Sequence, residues 1–379
     1  MRRELQQQLV KRVLAHLETK TTDTAAAMST RGVAAYTDPT IFERERAMFR
    51  AGPVPIGHVS QLATAGSFLT HDATGVPLLV VRGDDGELRA FLNVCRHRGT
   101  RLADAPCGEA KAFVCPYHAW SYSRSGSLLG IPHERGFDGV NREERGLVGV
   151  PVGVAGGLVF VRPTPSESTA LDAAAWLGPI AEDLESFGLA ASHVYAPTTQ
   201  VRTLGWKLAI DVFLEAYHLR PTHQTSIYKM FFDNIGLVDP IGPHLRNVFP
   251  KRTIRELAAL PETDWELRRH ANVLYHLFPN TLILVEPDHA AVLHLWPLDA
   301  GRTLLTSYTL IPEPATTEKA RAYWDANNAI LYNAIAEDFT MGESIQRGLA
   351  SGANREVLFG AFEHALAHFH RNVDQRLGP

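Results

Sequence analysis

The chain reads as an α+β protein of two domains: a small all-β domain, then an antiparallel sheet with covering helices. Three observations predict this. The 379 residues exceed a single domain of about 100–150 residues. Between residues 53 and 163 short apolar segments alternate with Gly and Pro, the texture of an all-β domain. Beyond residue 170 strand candidates come in close succession and long helical stretches follow them, an α+β layer order.

Each element has its own signal. Leu5, Leu9, Val10, Val13, Leu14 and Leu17 recur at helical spacing, predicting an amphipathic helix over residues 1–20. Leu78–Val81, Leu88–Val94, Lys111–Val114 and Leu158–Val161 read as strands, and Pro163-Thr-Pro165-Ser-Glu-Ser as an exit linker. Ala173–Phe187 is helical. Tyr195 begins a strand that turns into a helix over Trp206–Leu219. Residues 225–262, with Pro240, Pro243, Pro250 and Pro261, read as a long irregular stretch. Val273–Phe278, Thr281–Glu286, Ala291–Pro297 and Thr303–Ile311 form a meander, followed by helices over Thr317–Leu349 and Glu356–Val373. The expected domains are residues 1–45, a helical segment packing on the C-terminal domain; 46–165, the all-β domain; and 166–379, the C-terminal domain.

Composition narrows the function classes. A net charge of −4 gives no footing for nucleic acid or a membrane surface. No apolar run approaches the about 20 residues of a membrane span, and the N-terminus lacks the apolar core of a secretory signal. A cytoplasmic protein is expected. The three cysteines are too few and too odd in number for a disulfide framework, which fits a reducing compartment.

Two of them belong to the most specific motif: Cys95-Arg96-His97 and Cys115-Pro116-Tyr117-His118. Each arm supplies one thiolate and one imidazole. With both cysteines on one iron and both histidines on the other, this is the ligand set of a Rieske [2Fe–2S] cluster. Neutral imidazoles in place of thiolates raise the cluster's potential, so it can feed oxygen-activating chemistry. Zinc is the competing reading, but the usual zinc-finger order pairs cysteine with cysteine and histidine with histidine. Cys107, in Asp-Ala-Pro-Cys-Gly-Glu, is a third candidate thiolate or a small residue in a loop; the loop is favoured, because both irons are filled.

Asn93-Val94-Cys95-Arg96-His97-Arg98-Gly99, followed by Cys115-Pro116-Tyr117-His118-Ala119-Trp120, resembles the ferredoxin-like half of the Rieske non-haem iron oxygenases, the α (terminal oxygenase) subunits of ring-hydroxylating oxygenases and related demethylases. The resemblance covers nearly the whole chain and implies a catalytic domain of the helix-grip type.

A second metal site is legible further on. His218 and His223 are five residues apart, and Pro221 between them is expected to break the helix and turn His223 back to the same point. Two histidines and one carboxylate with open positions form the facial triad of a non-haem Fe(II) oxygenase. The resemblance implies Asp338 as the carboxylate, with Glu337 the local alternative. It also implies that Glu215 bridges the cluster's His118 to His218 of the next subunit, where aspartate is more usual; relatives acting on quaternary amines resemble this chain in having glutamate. Asp211, one turn before Glu215, is either a residue supporting the iron histidines or a solvated helix residue. His364, His368 and His370 read as a helix surface.

The implied cofactors are the Rieske [2Fe–2S] cluster and a mononuclear Fe(II), with electrons from NAD(P)H through a ferredoxin, a flavin reductase or both. The implied assembly is a homotrimer or hexamer. The expected activity is hydroxylation, dihydroxylation or oxidative demethylation of a small, aromatic substrate with O2. Phe213, Tyr228, Met230, Phe231, Phe232, Leu282, Leu284, Val292, His294 and Trp296 are candidate pocket residues, with core the alternative; Arg220, Arg246 and Arg252 are carboxylate binders or surface arginines, the latter favoured. The alternative is an electron-transfer protein, a Rieske ferredoxin fused to a helix-grip binding domain without oxygenase chemistry; it requires that His218, His223 and Asp338 do not converge.

Overall fold

The structure, a computed structural model, describes residues 1–378. The chain divides into two compact units: Arg46–Leu177, and Met1–Glu45 joined with the stretch from Gly178 onward.

The first unit is all-β. A five-stranded sheet runs in the order Gly149–Val150, Leu88–Leu92, Leu78–Arg82, Ser67–His71, Cys107–Glu109. Its central strand explains the unbroken run Leu78–Val81. Leu79 and Val81 face a core with Phe91, Phe113, Trp120 and Tyr122. Leu78 and Val80 face another with Leu62, Val150 and Val159. A strand buried on both faces has no polar side to show. Cys107 is exposed and begins an edge strand, a correction to the loop. The expected exit linker also fails. The chain comes back after Pro165: Leu171 N–H donates to Val152 O (3.1 Å), and Ala170 bridges Val152. Gly153 permits this approach, since a Cβ there would lie 2.0 Å from Leu171 O.

The second unit centres on a seven-stranded antiparallel sheet. Its strands, numbered along the chain, are β1 (His193–Arg202), β2 (Leu237–Ile241), β3 (His244–Pro250), β4 (Ala271–Leu277), β5 (Thr281–Val285), β6 (Ala290–Asp299) and β7 (Arg302–Ile311). Their spatial order is β1-β7-β6-β5-β4-β3-β2. The expected meander is β4 to β7. β2 and β3 are a hairpin inside the stretch read as irregular. Its prolines are compatible with strands by position: Pro240 lies on the edge strand, Pro250 ends β3, and Pro243 shares a two-residue turn with Gly242 at φ 56°.

Its helices include α1 (Arg3–Thr19), α2 (Trp206–Asp211), α3 (Leu219–Thr222), α4 (Glu318–Ala350) and α5 (His364–Leu377). α1 buries Leu9, Val10 and Val13. α4 starts at Thr317, whose hydroxyl accepts from Ala320 N–H (3.1 Å). Helix 173–187 breaks at Gly178. The final helix starts late: Glu356–Phe359 instead pairs as a strand with Ser29–Gly32, and Gly360 separates it from the helical turns that follow.

Candidate active site

The helix expected over Trp206–Leu219 is two short ones. α2 stops at Asp211, and Val212–His218 is a series of turns. α3 is one turn, with His218 at its N-cap and His223 at its C-cap. Pro221 sits in that first turn, where its missing N–H costs nothing. The break therefore lies before His218, not at Pro221. A single turn brings both imidazoles to one point, and Asp338 reaches it from α4. Asp338 Oδ1 lies 2.9 Å from His223 Nε2 and 3.3 Å from His218 Nε2. Among the described residues, these three form a group whose ligand atoms all lie within 4.8 Å of one another. Asp338 Oδ1 is buried and has no hydrogen-bond partner among the described residues. An orphaned carboxylate oxygen facing two Nε2 atoms fits a divalent cation with open coordination positions.

A carboxylate stands behind each ring. Glu215 Oε1 is 2.5 Å from His218 Nδ1, and its other oxygen accepts from the backbone N–H groups of Tyr217 and His218. Glu337 Oε2 is 2.6 Å from His223 Nδ1 and accepts from Ser226 Oγ–H at 2.6 Å. Glu337 thus engages the far side of His223, which removes it as the alternative ligand. Neighbours on a helix point about 100° apart, so only one of Glu337 and Asp338 faces the cavity. That signal was in the sequence; the partnership with Ser226 was not. Without a metal, burial pushes His218 down, but Asp338 and Glu215 outweigh it and raise its pKa to about 10. His223 is also raised: burial again opposes, and Asp338 and Glu337 prevail. The pocket demands a cation, proton or metal.

Asp211 is not part of this group, nor is it solvated. It is 6% exposed and bonds Tyr36 Oη–H (2.7 Å) and His370 Nε2 (2.9 Å). Both expected roles are corrected: it ties α2 to α5 and to residue 36. His370, 2% exposed, is likewise no surface histidine.

In the first unit the two Cys–His arms fold alike. Cys95 N–H donates to Thr100 O and Gly99 N–H to Cys95 O; Cys115 N–H donates to Trp120 O and Ala119 N–H to Cys115 O. The fifth residue of each arm is left-handed, Gly99 at φ 85° and Ala119 at φ 57°. Asn93, fully buried, accepts from Leu102 and Ala103 N–H and pins the first arm. His97 and His118 come together with ring centroids 4.8 Å apart, His97 stacked on Trp120. Cys95 and Cys115 are buried; Cys95 Sγ lies 3.4 Å from Tyr122 Oη. His97 Nδ1 is buried without a hydrogen-bond partner among the described residues. Buried thiols on two arms of like fold, and paired imidazoles, one with an orphaned nitrogen, fit a two-iron cluster.

A cavity of about 570 Å³ adjoins His218, His223 and Asp338. Phe213, Met230, Phe231 and Leu284 line it as expected. Leu282, Val292, His294 and Trp296 are core instead, and Tyr228 and Phe232 stack under Arg252. Arg246 is buried against Asp183 and Asp239, a correction to the surface reading. The cavity is more polar than expected. On β4 and β5 Leu274 and Leu284 pair on the cavity wall; further out Asn272 lies opposite Phe249, and Lys251 and Glu286 follow just past the ends of β3 and β5. Lys251 Nζ donates to Glu286 Oε2 (3.0 Å), while Asn272 Oδ1 is buried with no hydrogen-bond partner among the described residues.

A Cys₂His₂ cradle on an all-β unit, and a converging two-histidine, one-carboxylate set on a helix-covered antiparallel sheet, define a Rieske-type oxygenase. The family model for the ring hydroxylating alpha subunit (catalytic domain) matches residues 189–378, half of the chain, and that for the Rieske [2Fe-2S] domain matches residues 52–144. The chain belongs to the ring-hydroxylating oxygenase α-subunit family. It is a terminal oxygenase that uses O2 and electrons relayed through a Rieske cluster to a mononuclear iron, so the reading as a mere electron-transfer fusion falls. It is similar to the carnitine monooxygenase oxygenase subunit of Escherichia coli (strain K12): 29% identical over 362 residues, 90% of this chain and 91% of the relative. The glycine betaine monooxygenase oxygenase subunit of Pseudomonas aeruginosa (strain UCBPP-PA14) is 27% identical over 370 residues, 84% and 82% of the two chains. A solved quaternary ammonium Rieske monooxygenase in complex with L-carnitine shares the fold, with a TM-score of 0.78 at 24% identity over 94% of this chain and 97% of that one. No helix among the described residues is long and apolar enough to cross a membrane.

Proposed function

We propose that this oxygenase hydroxylates a quaternary ammonium compound carrying a polar, acidic far end, in place of the aromatic substrate expected from the sequence. The observation that carries this is the polar group Lys251, Asn272 and Glu286 on the cavity wall. An arene offers Asn272 neither donor nor acceptor, at a desolvation cost of about 1–3 kcal/mol for an unmet group, whereas the amide can accept from a substrate hydroxyl or donate to a substrate carboxylate. A zwitterion meets both ends of the cavity. Its cationic methyl groups are attracted to aromatic faces, which Phe213, Phe231 and Phe249 provide; its carboxylate reaches Lys251. The named substrates of the relatives, carnitine and glycine betaine, have this chemistry.

In this reading Cys95, His97, Cys115 and His118 hold the cluster, and His218, His223 and Asp338 hold the iron. When bound, the iron supplies O2 activation. The residues orient: the apolar lining presents a carbon on nitrogen to the metal, and the polar group fixes the far end. One oxygen atom enters a C–H bond; the other leaves as water, with two electrons and two protons supplied. An alcohol on a carbon bonded to cationic nitrogen then splits into an amine and a carbonyl compound, releasing a proton. The oxygenase works as a homotrimer, in which Glu215 joins His218 to His118 of the next subunit. A ferredoxin, a flavin reductase or both deliver electrons from NAD(P)H. The holoenzyme acts in the cytoplasm.

The test is O2 uptake with a generic reductase, comparing carnitine, glycine betaine and choline with naphthalene and benzoate. Uptake with matching amine release from a carboxylated ammonium compound supports the proposal. Coupled uptake with the arenes alone sinks it. Lys251→Met should raise KM for the carboxylated substrate about 10–100-fold, the worth of one charge-assisted hydrogen bond, with less effect on choline.

A further inference from the structure

We propose that Glu337 is a positioning residue for the mononuclear iron, acting through His223. The argument is geometric. The His223 ring is held at both nitrogens by consecutive residues of α4. Asp338 Oδ1 lies 2.9 Å from Nε2, and Glu337 Oε2 lies 2.6 Å from Nδ1. One helical step sends the two carboxylates to opposite edges of one imidazole. Ser226, three residues beyond His223, donates to the same Glu337 oxygen at 2.6 Å and so keeps it from swinging away.

Two consequences follow. An imidazole that donates Nδ1–H to a carboxylate is locked in the tautomer whose Nε2 lone pair is free for a metal. The negative partner also makes that nitrogen a stronger donor. His218 has the same arrangement with Glu215, so neither ring is left to rotate. The two partners differ in their reach. Glu215 is reserved in the proposal above for the contact between subunits. Glu337 instead borders a separate open groove with Pro221, Asn333 and Thr340, and its side chain is 32% exposed. It therefore serves the iron alone, and its loss should leave electron entry at the cluster untouched.

The inference rests on His223 being an iron ligand, and the experiment separates the two. Fe(II) dissociation constants are measured for the cluster-loaded holoenzyme, His223→Ala, Glu337→Ala and Glu337→Gln, with the EPR spectrum of the iron–nitric oxide adduct and the cluster signal recorded on each. His223→Ala should lose the iron outright; if it does not, the ligand reading is wrong. Glu337→Ala should weaken Fe(II) binding about 10–100-fold, the usual effect of removing such a partner, and should change the rhombicity of the nitrosyl spectrum. Glu337→Gln, which keeps an acceptor but not the charge, should recover part of the affinity while its mononuclear iron becomes easier to reduce. A residue that only stabilises the fold would lower the melting temperature without moving the nitrosyl spectrum or the potential. If Glu337→Ala does not fold, Glu337→Gln decides. Affinity within about twofold of the parent, where such partners usually matter tenfold or more, together with an unchanged spectrum, overturns the proposal.

Discussion

His223 and His276 show how burial has opposite consequences for the same side chain. His223 is 1% exposed but faces Asp338 and Glu337, so a positive charge is welcome there. His223→Ala should remove the mononuclear iron and turnover while the cluster keeps its colour and EPR signal, because the two donor sets lie on separate units; loss of both metals would contradict this. His276, in β4, is fully buried without a carboxylate, and burial lowers its pKa to about 3. Its folded pKa lies below the unfolded value of about 6.5. From there down to about pH 3 the unfolded chain takes a proton that the folded one refuses, so stability falls as pH falls. Between pH 7 and 5 this amounts to about 2 kcal/mol. Urea unfolding of the catalytic unit in His276→Gln should lose correspondingly less over that interval; equal losses would show that the imidazole does not contribute.

Among the elements, α4 carries the most. It supplies Asp338 and Glu337, and it closes onto the chain before α2 through Gly342. Glycine inside a helix ordinarily costs about 0.5–1 kcal/mol relative to alanine. Here a Cβ would lie 2.6 Å from Leu204 Cδ1, and Leu204 is fully buried. Overpacking of about 1–3 kcal/mol outweighs the helical gain. Gly342→Ala should therefore lower the melting temperature, and it should lower iron occupancy too, because Asp338 is one turn away. A more stable variant with full iron would mean that Leu204 yields freely.

For the proposed assembly the residue to test is Glu215. Its carboxylate already holds His218 Nδ1 at 2.5 Å. In the proposed trimer it also receives His118 of the next subunit. Glu215→Gln keeps one carbonyl acceptor, but its NH₂ then faces a donor. Both metals should load, since neither uses Glu215 as a ligand, and turnover should fall by orders of magnitude. Sedimentation should show a trimer or hexamer for both proteins. Full activity of Glu215→Gln with both metals present would send the electrons by another route.

The like-folded Cys–His arms and the convergence of His218 with His223 were legible because each arrangement is local. Cys95–Thr100 and Cys115–Trp120 close their own backbone hydrogen bonds, and one turn joins His218 to His223. Such contacts need only nearest neighbours, which spacing encodes. Asp338 came from family resemblance, because a carboxylate 115 residues beyond His223 has no local signature. The same limit hid Ser226 behind Glu337, and the burial of Asp211 by Tyr36 and His370. The β2–β3 hairpin was missed because proline forbids a central strand but not an edge, and only the completed sheet has an edge. The polar group of the cavity comes from β4 and from just past the ends of β3 and β5. Periodicity tells which face of each strand is covered; the register between strands, which sets Asn272 opposite Phe249, brings Lys251 and Glu286 near it on one cavity wall.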